Sequence, residues 1–526
     1  MRVVLRRLVS NTSLVFFSRE HKKLAGGPAR VIEASYDSRA CALENFKVVS
    51  SALDKYGVEH VQLPSSDVYE PTLVVSSGCV HQLDMAMTEI LQGPGWVYEI
   101  EETLDRRIRR FISRIFKISP LDPLGINIDR RTISPTGTLL NTKQERVNIQ
   151  IWNRLPGGVK REDGGHHAEG TLHPQRTHKR QEVAYITPMQ WQEAQAEPSH
   201  KLNVPHPLIY EVTEPIDLVY TWVDGSEKDW QHRKHLALEA YELTDVNLTA
   251  NNESRFSVRD ELKYSLRSVE MYANWVNHIY IVTDSQVPEW LNLSNPKISV
   301  IDHRDIYDNS SYLPVFNSHA IESQLHHIPG LSDKYIYMND DIFMARPTSP
   351  SLFFHSNGLA KFFLSIKPID TGDVLPEDYP VVSAAKNGRS FIQKHFGLTV
   401  THKFRHTPHP QSKSVLTEME RDFPQLFEAV AASKLRHPDD YSIASSLQHH
   451  YAYATGRAVP ATISYGYVDI ASADIEHKLE HLDRRQLDVF CLNETYFDKT
   501  SKTSVNEILW SFLESRFPVP SSFEVL

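Results

Sequence analysis

The chain has 526 residues, with 56 basic against 66 acidic side chains and a formal net charge of −10. That length allows two to four domains at about 100–200 residues each. With 40% apolar and 23% charged residues a core can be buried. This excludes wholesale disorder, collagen and coiled coil, and the acidic balance excludes a general nucleic-acid coat.

Cys41, Cys79 and Cys491 are too scattered for a disulfide framework or a paired metal motif, and their usage favours a reducing compartment. No stretch approaches the ~18 apolar residues of a membrane-crossing helix. Residues 1–30 read as a disordered extension whose longest apolar run, Leu14 to Phe17, is too short for a signal peptide.

In chain order, residues 31–118 read as an accessory α/β domain. Helices are expected at 42–55 and 81–91, and strands at 58–63, 72–75 and 96–100. A basic segment at 106–116 reads as a solvated helix face. Residues 119–215 lose helical periodicity and collect Pro, Gly, His and Gln, which predicts an irregular, short-stranded connecting region. His166, His167, His173 and His178 match no standard zinc spacing and read as solvated loop.

From Ile216 the character changes. Apolar strands at 216–221, 278–283, 298–301 and 335–338 run into acids: Asp224, Asp284, Asp302, and Asp340 with Asp341. Helical segments separate them, which predicts an α/β fold with a mainly parallel sheet over 216–526. Ligands of such sheets collect beyond the carboxyl ends of the strands. Acids converging there suit a hard divalent cation, Mg2+ or Mn2+, and the adjacent pair Asp340–Asp341 is the stronger signal because a cation relieves its repulsion. Singly, Asp224, Asp284 and Asp302 read rather as turn or cap residues than as ligands.

Arg259, Lys263 and Arg267 are spaced i, i+4, i+8, roughly one helix stripe leading into the helix at 261–272, with Asp260, Glu261 and Glu270 near enough to pair with them. His402, His406 and His409 precede a helix expected from about Ser414, with prolines stiffening the backbone. An imidazole titrating near neutrality can accept a hydroxyl proton. Arg436 is a natural phosphate ligand, just before Asp439 and Asp440 at an expected helix start. Acids for a cation, arginines for phosphate and a histidine for a hydroxyl form the inventory of phosphoryl transfer. No Walker loop or GxGxxG is present, which argues against P-loop and dinucleotide enzymes.

These residues lie in long ordered blocks: IDLVYTWVDGSEKDW (216–230), 259–291 with 317–343, RHTPHPQSKSVLTEMERDFPQLF (405–427) and LRHPDDYSIASSLQHHY (435–451). The blocks resemble those of the Stealth family, which includes bacterial capsular and exopolysaccharide phosphotransferases and the animal lysosomal-enzyme N-acetylglucosamine-1-phosphotransferase. The arrangement is most similar to the actinobacterial exopolysaccharide enzymes. The resemblance covers 216–526 and implies a nucleotide-sugar-binding α/β catalytic core. It also implies transfer of a sugar 1-phosphate from a nucleotide-sugar to a hydroxyl of a glycan or lipid-linked glycan, with a divalent cation. On that footing Asp340 and Asp341 are expected to bind the metal. His406 is the expected base, with Asp440 or Glu322 as the carboxylate alternative, and Arg436 the catalytic arginine. Asp224, Arg259, Arg267 and Asp284 are expected at the donor. Glu494 stands where the family usually has aspartate.

The expected setting is cytoplasmic, with peripheral association at the inner face of the cell membrane and no nucleic-acid partner; oligomeric state, sugar and nucleotide stay unassigned. Two other readings use the same residues: a glycosyltransferase, which would cleave the sugar–phosphate bond, and a non-catalytic glycan-binding relative, against which the intact Asp340, Asp341, His406 and Arg436 argue.

Overall fold

In the computed structural model of the chain, residues 28–102, 123–176, 181–240, 259–375, 377–494 and 502–525 are described. The basic segment at 106–116, most of the N-terminal extension and His178 lie outside them. The chain divides into two compact units between Glu211 and Val212.

The first unit carries helices α1 (Ser38–Lys55), α2 (Val80–Ile90) and α3 (Pro188–Ala196). Its strands are β1 (His60–Gln62), β2 (Thr72–Ser76), β3 (Trp96–Glu102), β4 (Pro123–Arg130), β5 (Val147–Arg154) and β6 (Leu172–Pro174). They form one sheet in the order β1-β2-β5-β4-β3, with β6 added on β5. Val49 and Leu53 of α1 and Leu83 and Met87 of α2 pack on Leu73 and Ile149 of the sheet. Trp152, Leu172 and Trp191 form a separate apolar cluster. This corrects the expected split into 31–118 and an irregular 119–215. β4 and β5 lie inside the sheet, and β5 (VNIQIWNR) pairs in parallel with β2. The flanking Gly and Pro residues mask a buried strand that only its long-range partner identifies. The histidine-rich stretch is also less open than expected, since His167 is buried against Tyr185.

The second unit is built on a five-stranded sheet. Its strands are β7 (Ile216–Thr221), β8 (Ile279–Thr283), β9 (Ile298–Asp302), β10 (Lys334–Asn339) and, later in the chain, the edge strand His409–Ser412. The order is β9-β8-β7-β10-edge; the first four are mutually parallel and the edge strand runs antiparallel to β10. Register aligns Thr221 with Asn339 and Thr283 with Asp302, so the carboxyl ends finish level. Such doubly covered strands read as continuous apolar runs, as IDLVYT does. Its one acid, Asp217, is fully buried and accepts from Asn277 Nδ2 at 2.8 Å and the Ser332 amide at 2.6 Å.

Helices α4 (Lys228–Ala240), α5 (Glu261–Tyr272) and α6 (Ser318–Glu322) lie between these strands. β11 (Ile342–Met344) follows β10 after two residues, Asp340 and Asp341. α5 is tied to β7 and β11: the Ser265 hydroxyl meets Tyr220 Oη at 2.8 Å and donates to the Ile342 carbonyl at 2.6 Å, and Ser268 Oγ accepts from the Met344 amide. Further on come β12 (Leu364–Pro368), β13 (His402–Phe404), the edge strand, now β14, and α7 (Lys413–Asp422). β15 (Tyr465–Asp469), β16 (Val489–Asn493) and α8 (Lys502–Arg516) complete the elements used below. A second small sheet has the order β11-β16-β15. The helix expected to begin at Asp439–Asp440 is instead a turn, with helical structure from Ile443. Among the described residues no helix is long and apolar enough to cross a membrane.

Candidate active site

Strand direction assembles the site. β10 delivers Asp340 and Asp341 to the carboxyl edge of the sheet. β14 is antiparallel to β10 with His409 opposite Tyr337, so His406, three residues earlier, projects past the same edge. β16 is antiparallel to β11 with Cys491 opposite Ile342, which carries Asn493 to the same turn. Asn493 Nδ2 donates to Asp341 Oδ2 at 2.9 Å, and the Cys491 thiol approaches that oxygen at 3.4 Å. Asp341 Oδ1, although buried, finds no hydrogen-bond donor among the described residues.

A third carboxylate joins this pair. Glu261 opens α5, where Asp260 adopts a left-handed φ of 59° that turns the chain into the helix. The Glu261 side chain is 13% exposed and accepts from the Arg259 amide at 2.7 Å. Burial lifts its pKa to about 7; Asp341 adds to the rise and Arg259 opposes it. Asp340 is pushed up by burial, then by Glu261 and Asp341. Asp341 is raised by burial, against the Asn493 amide and the nearby His406. Three carboxyls are held above their usual range, one with an oxygen that has no donor among the described residues, which makes an acidic pocket of hard oxygens.

His406 is open to solvent at the mouth of this cluster, its ring 5.3 Å from that of Tyr467. Desolvation by the packed surroundings lowers its pKa, Lys367 and Lys403 add to the fall, and Asp341 opposes it. The imidazole is therefore neutral and able to accept a proton near neutrality. His409 differs: it is buried, Nδ1 lies 3.1 Å from His449 Nε2, and burial brings its pKa down to about 3. His402 lies on β13 with Nδ1 2.9 Å from the Thr401 hydroxyl.

Across β10 lies a second cluster. Arg436 Nη2 donates to Ser318 Oγ at 2.7 Å, and its charge faces Glu322 and Asp440. Glu322 is buried, accepts from Ser445 Oγ at 2.8 Å, and is raised by burial against Ser445 and Arg436. Tyr337 joins the two clusters. Its hydroxyl lies 2.7 Å from Asn339 Oδ1 and 3.1 Å from Thr221 Oγ1, and its pKa is raised by burial, by Glu322 and by Asp340.

The structure thus brings together Asp340, Asp341 and His406, and separately Arg436 and Glu322. The other expected residues are engaged within the fold. Arg267 is buried in a two-pronged pair with Glu524, 2.8 and 2.9 Å, and also donates to Glu514 and the Phe517 carbonyl. It holds the C-terminal segment on α5. Arg259 is equally engaged, donating to Glu494 at 2.8 Å and to Asn506. Glu494, where the resemblance implied aspartate, is thus a partner of Arg259. Asp284 is gripped by Arg233 at 2.8 Å. Asp224 accepts from its own loop, at the Ser226 amide and hydroxyl. Asp440 accepts from Asn317, Ser433 and the His437 amide, bonds that organise its loop. Asp302 caps the Arg304 amide, as one of its two sequence readings anticipates. Sequence reasoning missed Glu261 as a site residue, along with Tyr337, Asn493, Lys367 and Lys403. Only Asn493 had a visible signal, a polar residue closing an apolar strand as Asn339 does.

Four family models match the chain: Stealth protein conserved region 1 over 214–242, region 2 over 255–362, region 3 over 405–453 and region 4 over 480–526. An exopolysaccharide phosphotransferase of Streptomyces coelicolor is 36% identical over 503 residues, covering 91% of this chain and 82% of that protein. Another from the same organism is 34% identical over 507 residues, 95% of this chain but only 53% of its own length. The exopolysaccharide phosphotransferase CpsY of Mycobacterium tuberculosis is 40% identical over 316 residues, 60% of this chain and 59% of CpsY. Among solved structures, galactosyltransferase LgtC in complex with donor and acceptor sugar analogues aligns with 57% of this chain and 96% of its own. That match has 12% identity and a TM-score of 0.29, too slight to carry an argument. With all four conserved regions in order around the Asp340–Asp341 turn, the chain belongs to the Stealth family, alongside relatives named exopolysaccharide phosphotransferase.

Proposed function

We propose that this chain is an exopolysaccharide phosphotransferase that moves a sugar 1-phosphate from a nucleotide-sugar to a glycan hydroxyl. The acceptor oxygen attacks the phosphorus that bears the sugar. The bond from that phosphorus to the bridging oxygen breaks, a nucleoside monophosphate leaves, and a phosphodiester forms. The observation that carries this reading is the solvent-open His406 beside Asp341, whose Oδ1 has no donor among the described residues, at the carboxyl edge of a parallel sheet.

In this reading His406 takes the proton of the acceptor hydroxyl as the oxygen–phosphorus bond forms. Lys367 and Lys403, the cations that depress the His406 pKa, face the incoming phosphates. Arg436, oriented by Ser318 and Glu322, grips oxygens of the transferred phosphoryl group, which a planar guanidinium does with two donors at once. Asp340 and Asp341, with Glu261 behind them, hold a divalent cation. When bound, that cation supplies charge neutralisation for the donor diphosphate. Tyr337 keeps the two clusters in register. The donor is a nucleotide-sugar and the acceptor a glycan, lipid-linked in the version that places the enzyme in the cytoplasm against the inner membrane face.

The released nucleotide tests the proposal. Purified protein is incubated with a panel of nucleotide-sugars, an oligosaccharide acceptor and Mg2+ or Mn2+. Monophosphate release with a phosphodiester product is expected. Diphosphate release with a plain glycosidic product would replace this reading with glycosyl transfer.

A further inference from the structure

Away from the Asp340–Asp341 turn, two adjacent imidazoles converge on one carboxylate. His326 and His327 sit in the short turn between α6 and β10, and Glu420 lies on α7. His326 Nε2 and His327 Nε2 each lie 2.8 Å from the same atom, Glu420 Oε2. We propose that His326, His327 and Glu420 form a binding site for a zinc-class divalent cation, distinct from the site at Asp340 and Asp341.

The hydrogen-bond accounting calls for positive charge at this junction. His327 Nδ1 lies 2.9 Å from the Ile306 carbonyl, which can only accept, so that nitrogen carries the hydrogen. A neutral ring would turn the Nε2 lone pair toward Glu420 Oε2, itself a lone-pair atom, so without a metal the ring takes a second proton, burial lowering its pKa and Glu420, with the Ile306 carbonyl, raising it by more. A second ring nitrogen meets the same oxygen from His326. Such a junction needs positive charge at its centre; a proton on His327 supplies it in the metal-free protein, and one divalent ion in its place would meet all three atoms together. The Ile306 carbonyl behind His327 is the usual outer partner of a ligating imidazole, fixing its tautomer and plane.

Zinc binds imidazole nitrogen and carboxylate oxygen at roughly 2.0–2.2 Å, so tetrahedral ligands stand about 3.3 Å apart. Each nitrogen and the carboxylate oxygen, now 2.8 Å apart, would part by about 0.5 Å, a change the side-chain torsions of Glu420 can supply. Two nitrogens and one oxygen suit zinc better than magnesium. The His326 side chain is 1% exposed, but His327 and Glu420 are 22% and 28% exposed, so a water can complete the coordination. The other His–carboxylate grouping among the described residues, Asp54–His60–His200, lacks this feature, because both His60 nitrogens are taken by Ser50 Oγ and the Val58 carbonyl. An ion at His326–His327–Glu420 would staple the turn leading into β10 to the helix that follows β14. Those two strands position Asp341 and His406.

The test uses the full-length chain, stripped with chelator and kept in millimolar Mg2+ so that the carboxylate site is occupied. Added Zn2+ should bind with one strong equivalent by competition against a chromophoric chelator, and should raise the melting temperature. X-ray absorption of the zinc-loaded protein should show two imidazole ligands. His327→Ala and Glu420→Gln should each lose this equivalent, while Asp341→Asn keeps it. No zinc binding tighter than about micromolar in the stripped wild type would overturn the proposal, leaving a plain imidazolium–carboxylate ion pair. A zinc-loaded spectrum with fewer than two imidazoles would do the same, and it is read on the wild type whether or not the variants fold.

Discussion

Replacing Glu261 by glutamine should stabilise the metal-free protein, by an amount that depends on pH. The side chain is 13% exposed, so solvent screening removes little of the effect. Its ordinary pKa of 4.5 rises to about 7 in the fold. A carboxyl raised in this way contributes fully below its unfolded pKa, and the contribution is lost as pH climbs through the folded value. At ~1.36 kcal/mol per pH unit, the ionised form costs about 3 kcal/mol at pH 8 and less than about 1 kcal/mol at pH 5. Glutamine keeps an oxygen for the Arg259 amide, 2.7 Å away in the wild type, but carries no charge. Urea denaturation in EDTA should therefore give Glu261→Gln a stability advantage that grows from pH 5 to pH 8 by roughly 2 kcal/mol. Saturating Mg2+ or Mn2+ should shrink that advantage, because the cation removes the repulsion from Asp340 and Asp341. An advantage independent of pH, or a variant weaker than wild type at pH 8, would refute the account of a strained carboxylate cluster.

Asp341→Asn should nearly abolish turnover with the fold intact by circular dichroism; full activity in that variant or in EDTA would remove the cation from the mechanism. His406→Ala should lose about 10²–10⁴-fold in kcat with donor binding kept, and wild-type activity should fall as pH drops through the lowered imidazole pKa. His409→Ala should register in stability rather than in rate. Arg436→Ala should cost about 2–4 kcal/mol in kcat/KM, with Arg436→Lys recovering little because an ammonium cannot reproduce the fork; a fully active lysine variant would make the arginine a scaffold residue. Arg267→Ala strands the buried Glu524 and should cost about 3–5 kcal/mol in denaturation, with KM for the donor unchanged in the folded fraction. A raised KM without lost stability would return Arg267 to the donor site.

The sequence alone determined the sheet and the location of its chemistry. IDLVYT, HIYIVT and KYIYMN are apolar in every position needed for strands covered on both faces, and each runs toward an acid, so the parallel sheet and its acidic edge were legible from local pattern. The sequence also singled out the Asp340–Asp341 pair, as adjacent acids closing a buried strand, and His406, in the third family block beside a proline-stiffened turn, and the fold brings them to one edge. The roles of the remaining charges were decided only by the tertiary structure. Asp224, Asp284, Asp302 and Asp341 look alike as strand-ending acids. The first three are claimed by Ser226, Arg233 and the Arg304 amide, whereas Asp341 keeps one oxygen without a donor among the described residues. Arg259 and Arg267 occupy a stripe that suits phosphate as well as any, but their carboxylate partners, Glu494 and Glu524, are more than two hundred residues away and reach them only when the C-terminal segment folds over α5. Glu261 shows the same limit: beside Arg259 in sequence it reads as half of a surface ion pair. α5 buries it against Asp340 and Asp341 through two serine hydroxyls bonded to β7 and β11. Local pattern fixes which backbone is buried, since that depends on side chains two to four residues apart. The pairing of a charge depends on which distant segment arrives beside it, and only the folded chain specifies that.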